Sequence, residues 1–245
     1  MMRTRSGFDR EIQLLQEELI LMGSMVEKQI GRAIAALKAL DHDAARRVVE
    51  ADAEVDRMRY QIEEHAIQLI ATQQPMASDL RTIIAALNII VDMERMGDHA
   101  EGIAKIAIMH GDQPLLKPLI DIPRMADRAA GMLHRALDAF VARDEAAARR
   151  VEDEDDEMDT LYDQVYRELL TYMLNDPRTI DRATWLLWVA HNLERIADRA
   201  TNICERAVWI TTGNLQESIT TGAGAPKHEV KRHDLDPDVR PHQTT

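Results

Sequence analysis

Residues 88–107 read NIIVDMERMGDHAEGIAKIA and residues 191–207 read HNLERIADRATNICERA. The pattern Glu94-Arg95-x-x-Asp98 of the first stretch returns as Glu194-Arg195-x-x-Asp198 in the second, 100 residues on. Apolar residues recur at helical spacing in both, so each acidic pair lies one turn apart on one face of a helix.

The similarity extends outward from these stretches. Asp41, Arg46, Arg47, Val48, Asp52 and Asp56 have counterparts in Asp144, Arg149, Arg150, Val151, Asp155 and Asp159, each 103 residues further on. After the loops at Pro75 and Pro177 the offset is 100, and Leu87, Ala100 and Ile103 fall opposite Leu187, Ala200 and Ile203. Repeats of this length are units to be recognised before any local reading.

Proline and capping residues divide the chain into six expected helices, near Phe8–Leu40, Ala44–Thr72, Ser78–His110, Leu119–Ala142, Asp144–Leu174 and Thr179–Thr212. Asp41, Asp144, Ser78 and Thr179 read as N-terminal caps, and Gly111 and Gly213 as C-terminal stops. Pro75, Pro114, Pro118, Pro123 and Pro177 are read as falling between helices. The expected fold is all-α: two tandem, similar three-helix bundles of six long helices, residues 1–112 and 113–213. Residues 214–245 are rich in Gly, Pro, Thr, His and charge, and are expected to form a disordered tail.

Composition agrees with packed helices. Of 245 residues, 45% are hydrophobic and only 4% aromatic, a balance of Leu, Ile, Ala and Met that favours helix over sheet. The net charge of −13 leaves no basic stripe for a nucleic-acid backbone. The longest apolar runs fall short of the roughly 18 residues of a spanning helix, and the charged start lacks the apolar core of a signal peptide. A cytoplasmic protein without membrane insertion is expected. The single cysteine, Cys204, lies on an apolar arc and reads as a small buried hydrophobe.

With Leu193 at zero on a helical wheel, Leu186, Val189, Ala190, Ile196, Ala197, Ala200, Ile203 and Cys204 occupy an arc from roughly −80° to +60°. Glu194 and Asp198 lie just outside it, and Arg195, Arg199 and Arg206 turn away. The first copy places Glu94, Asp98 and Glu101 on the acidic strip, with Arg95 and His99 on the far side. No i,i+4 cation is apparent within the strip.

Like charges one turn apart cost a helix about 0.2–0.5 kcal/mol per pair, and a bound cation removes that cost. Asp52 with Asp56, and Asp155 with Asp159, are again four apart and again repeated, so each bundle offers four carboxylates. Hard oxygen ligands of this kind suit divalent or trivalent cations such as iron, zinc, manganese, magnesium or calcium. The candidate metal residues are therefore Asp52, Asp56, Glu94 and Asp98 in the first repeat and Asp155, Asp159, Glu194 and Asp198 in the second. His191 flanks the second set, although its counterpart Val91 carries no donor. The competing reading is a solvated acidic face in which Arg95 or Arg195 bridges at i,i+3 to Asp98 or Asp198. The run VEDEDDEMD, residues 151–159, reads as solvated acid in which only Asp155 and Asp159 gain weight from the repeat. Trp188 projects from the core arc toward a neighbouring helix or a partner.

The paired ERMGDHAEGI and ERIADRATNI, the opening FDREIQLLQEELILMG and the tandem halves resemble the PhoU family of phosphate-uptake regulators, from about Phe8 to Gly213. The resemblance implies a cytoplasmic negative regulator of the phosphate-starvation response. Its implied partners are the ATPase subunit of the phosphate ABC transporter and a sensor histidine kinase, and it is expected to form a homodimer. It also implies acidic-x-x-x-Asp metal motifs, matched by Glu94 with Asp98 and by Glu194 with Asp198. Two departures distinguish the copies: Gly102 stands opposite Asn202, a candidate amide support for the second site, and Gly97 opposite Ala197.

Two other classes compete. A ferritin-like oxidase needs Glu-x-x-His on its ligand helices, and no glutamate stands three residues before any of the nine histidines. His-Glu-x-x-His, Gly-x-Ser-x-Gly and phosphate-cradling glycine loops are also absent from the sequence, so no catalysis is expected. A metal-free helical adaptor is the other alternative.

Overall fold

The computed structural model describes residues 5–214. Its helices are α1 (Arg5–Ala39), α2 (His42–Gln73), α3 (Ser78–His110), α4 (Asp121–Ala142), α5 (Glu145–Glu152), α6 (Asp155–Asn175) and α7 (Ile180–Thr212), with a 3-10 turn at Pro177–Thr179. The chain is all-α, as expected, and two tandem bundles organise it. One expectation is corrected: the fifth helix is not continuous but breaks at Asp153–Glu154 into α5 and α6. Successive acids repel along one helix, whereas Asp155, Asp156 and Glu157 at the start of a new one meet the positive end of its dipole. Arg128 and Arg135 of α4 hold the break, both pairing with Glu154 and Arg128 also with Glu157.

Helix α1 shows why the bundles form. Leu15, Leu19, Met22, Val26, Ile30, Ala33 and Leu37 are fully buried at spacings of three or four, which lays one stripe against α2 and α3. Helix α4 does the same with Ile122, Met125, Ala129, Met132, Leu133, Ala136 and Phe140, against α5, α6 and α7. Both leave through the same turn. Leu40 and Arg143 each take φ 53°, and Asp41 and Asp144 then accept from Ala44 N at 2.8 Å and Ala147 N at 2.9 Å, as capping predicts.

The other two caps differ from expectation. Ser78 lies inside α3 and its N-cap Ala77 makes no side-chain bond. Thr179 precedes α7, but its hydroxyl donates backward to Tyr172 and Asp176 carbonyls, and Asp176 caps the 3-10 turn instead. Pro123 lies in the first turn of α4 rather than before it, where a missing N–H costs nothing. Gly111 and Gly213, at φ 63° and 75°, stop α3 and α7 as expected.

The bundles join along α3 with α7 and α1 with α4, and one hydrophobic core runs through both. Gly23 permits the α1–α4 approach, since a Cβ there would stand 2.3 Å from Leu137 Cδ1. The expectation of a disordered tail falls, apart from Asn214, outside the described residues.

Candidate functional site

The wheel placed the repeated acids beside the core, and the structure brings the two acidic helices of each repeat together. In the first repeat Asp52 and Asp56 of α2 face Glu94, Asp98 and Glu101 of α3. Asp52 Oδ1 accepts from Gln29 Nε2 at 2.8 Å, and Arg59 Nη1 lies 3.6 Å from Glu94 Oε1. Gly97 makes room, because a Cβ there would stand 3.0 Å from Asp52 Oδ1 and 3.3 Å from Gln29 Oε1.

Burial, with mutual repulsion added to it, shifts the protonation equilibria of these acids. Burial raises the Asp52 carboxyl above its ordinary value; the Gln29 bond opposes this, and Glu101, Asp56 and Asp98 add to it. Burial also raises Glu94, reinforced by Asp98 and opposed by Arg59. Asp98 is raised by burial, then by Asp56 and Glu101. These carboxylates are thus electrostatic neighbours lacking full compensation.

In the second repeat the Glu194 carboxyl is pushed up to about 7, first by burial and then by Asp198, Asp159 and Asp155, with Arg195 opposing. Its Oε2 is buried without a hydrogen-bond partner and stands 3.4 Å from His191 Nδ1. The i,i+3 bridge of the competing reading also exists: Arg195 Nη1 lies 3.4 Å from Asp198 Oδ2. The His191 ring also lies beside Tyr162, with ring centroids 6.3 Å apart and planes tilted by 56°.

All eight candidate residues therefore fall into two clusters, one per repeat. Among the described residues, however, no three His, Cys, Asp or Glu side chains already surround a common point as metal ligands. The donor chemistry fits a hard cation, being all oxygen and net negative. Two buried oxygens without hydrogen-bond partners, Gln29 Oε1 and Glu194 Oε2, sit at the clusters. In each repeat the acids would hold such an ion from two helices.

Three features went unseen in the sequence. Glu101 does have an i,i+4 cation, Lys105 Nζ at 2.5 Å. Arg199, His99 and Asn202 do not face solvent but line the α3–α7 seam: Arg199 Nη1 lies 3.2 Å and Asn202 Nδ2 3.1 Å from Asp92 Oδ1, and His99 Nδ1 lies 2.9 Å from Asn192 Oδ1. Asn202 therefore supports the joint between repeats rather than the second acidic cluster. Gln29, hidden in the apolar stripe of α1, had no signal beyond being the one polar residue on that stripe. Trp188 is about half exposed and free of the core, in line with its wheel position.

Comparison with known proteins returns one family. Residues 19–107 and 122–207 each match the PhoU domain. A phosphate-specific transport system accessory protein PhoU from Edwardsiella tarda is 38% identical over 210 residues, covering 86% of each chain. A PhoU homolog of the same description from Caulobacter vibrioides is 42% identical over 211 residues, covering 86% of this chain and 92% of that one. The crystal structure of PhoU from Pseudomonas aeruginosa superposes with a TM-score of 0.80 at 35% identity, over 84% of this chain and 100% of that one. The phosphate transport system regulatory protein PhoU from Streptococcus pneumoniae gives 0.79 at 30%, over 85% and 98%.

Proposed function

The chain belongs to the PhoU family, and we propose that it is an accessory regulator of phosphate transport which restrains uptake and the starvation response when phosphate is plentiful. It would do so from the cytoplasm, as a homodimer, linking the ATPase subunit of the phosphate ABC transporter to a sensor histidine kinase. The observation that carries this reading is the match of both repeats to one domain, together with relatives named for the phosphate-specific transport system. No helix of the described residues is long and apolar enough to cross a membrane, which suits a peripheral partner of the transporter. The relatives are named accessory proteins rather than enzymes, which supports a role without catalysis.

Within this role the two clusters, Asp52, Asp56, Glu94 and Asp98 with Asp155, Asp159, Glu194 and Asp198, would bind divalent or trivalent cations such as iron, zinc, manganese or magnesium. A cation there would offset the burial and the added mutual repulsion that raise Asp52, Glu94, Asp98 and Glu194. The carboxylates would fix its position between α2 and α3, or between α6 and α7, and so stiffen each bundle's contact face. A metal-free adaptor is the second reading, favoured by the lack of a closed ligand set among the described residues. The decisive experiment is capture of the transporter ATPase and the kinase on the full chain from phosphate-replete cells, with and without chelator. Chelator-sensitive capture is expected; capture indifferent to chelator supports the adaptor, and no capture of either partner contradicts the regulatory role.

A further inference from the structure

The two acidic clusters are built differently beneath the surface. Counting back from the matched turns at Leu40 and Arg143, Gln29 of α1 falls opposite Met132 of α4. The register holds through the core, for Val26, Ile30, Ala33 and Leu37 correspond to Ala129, Leu133, Ala136 and Phe140, all buried. Met132 is fully buried and carries no donor or oxygen. Gln29 is only 5% exposed, so burying its amide costs free energy unless both ends are used. One end is used: Nε2 donates to Asp52 Oδ1 at 2.8 Å. Oε1 is buried with no hydrogen-bond partner.

That oxygen is aimed at the acidic helix. It stands 3.3 Å from the point a Cβ would take on Gly97, within the turn carrying Glu94 and Asp98. The second repeat has filled the same volume differently, with Ala197 opposite Gly97 and Met132 opposite Gln29. It also has Thr201 where the first has Glu101, which acts on both Asp52 and Asp98. Amide oxygen beside several carboxylates is the ligand chemistry of hard divalent cations.

We propose that Gln29 belongs to the cation site of the first repeat, its Nε2 positioning Asp52 and its Oε1 offering a neutral oxygen, so that the first repeat holds a hard divalent cation more tightly than the second. This rests on the reading that the acidic clusters bind cations. Loss of Gln29 frees Asp52 from its orienting donor and removes a ligand from the cluster. A partner that orients a ligand is commonly worth about 10- to 100-fold in metal affinity.

The test is titration of the full chain with Mn2+ alone, followed by calorimetry and by the spin-resonance signal of free Mn2+. The wild type is expected to show two classes of site, the tighter lost in Asp98→Asn and the weaker in Asp198→Asn. Gln29→Met should weaken the tighter class about 10- to 100-fold and leave the weaker one in place. The reverse exchange, Met132→Gln with Ala197→Gly, should strengthen the weaker class, an effect that loss of folding cannot imitate. Two assigned classes with neither exchange changing its own class would overturn the role of Gln29 while leaving cation binding intact. No Mn2+ binding by the folded wild type would overturn the cation reading, and this inference with it.

Discussion

Arg199 of the second repeat places its Nη1 3.2 Å from Asp92 Oδ1 of the first, and the two side chains are only 17% and 13% exposed. The pair crosses the seam between α3 and α7, where Asn202 adds a second donor to the same oxygen. Removing one member of such a pair strands the other in a low-dielectric seam. Asp92→Ala is therefore expected to lower stability by about 2 kcal/mol, read from chemical denaturation. An unchanged midpoint would show that solvent screens the pair.

Gly97 and Gln29 should be coupled. Alanine is worth up to about 1 kcal/mol over glycine inside a helix, but the new methyl would press on Asp52 Oδ1 and Gln29 Oε1. Gly97→Ala alone should forfeit that gain, and Gly97→Ala with Gln29→Met, the pairing found in the second repeat, should recover it. A double-mutant cycle on the metal-free protein should give a coupling of at least about 0.5 kcal/mol. Additive effects would mean that the two positions ignore each other.

Glu152 sets a pH dependence. Its carboxyl is pushed up to about 7, first by burial, with Arg149 opposing and Glu205 and Asp153 adding, and its Oε1 is buried without a hydrogen-bond partner. The folded state therefore holds the proton where the unfolded chain has released it. Stability is full below the ordinary value of 4.5 and is lost as pH rises through about 7. Glu152→Gln should flatten this decline and raise stability at pH 8 by about 1 kcal/mol, while changing little at pH 4. Thermal midpoints across that range decide it; parallel profiles for the two proteins would contradict the assignment.

Cys204 is buried, and burial raises its thiol well above the ordinary range, with Glu152, Glu154 and Glu205 adding. Thiolate is the reactive form, so a thiol reagent should label the native protein only at the rate of local opening and label it quickly in denaturant. Rapid native labelling would place Cys204 at an accessible surface.

How much of this could be read from residues alone depends on the kind of contact. Helix α3 was legible from end to end, because Pro75 and Gly111 bracket an unbroken apolar periodicity. The two clusters were legible because i,i+4 spacing fixes a face and the repeat singles out the same acids twice. The break at Asp153–Glu154 was not, since the matching stretch Glu50–Ala51 continues as helix; the clue lay in Asp155, Asp156 and Glu157, an acidic first turn. Capping by Asp41 and Asp144 followed from sequence, whereas Ser78 and Thr179 failed because hydroxyls also bond to nearby carbonyls. The seam of Asp92, His99, Asn192, Arg199 and Asn202 was invisible, because a helical wheel tells which face leaves its own core and not that a second bundle covers it. Gln29 acts across 23 residues to Asp52, a distance over which no periodicity speaks.

The most direct measurement compares wild type, Asp98→Asn and Asp198→Asn for metal content after gentle purification, melting temperature with and without added Mn2+, and phosphate-starvation reporter output in cells. An amide oxygen is a poorer ligand for a hard cation than a carboxylate, so each variant should lose metal from its own repeat and derepress the reporter in replete medium. For the metal-free protein, Asp98→Asn should hold its melting temperature or rise slightly, because it relieves the repulsion from Asp56 and Glu101 by a few tenths of a kcal/mol. Metal content and reporter output unchanged in both variants would contradict the cation sites and leave the metal-free adaptor as the function.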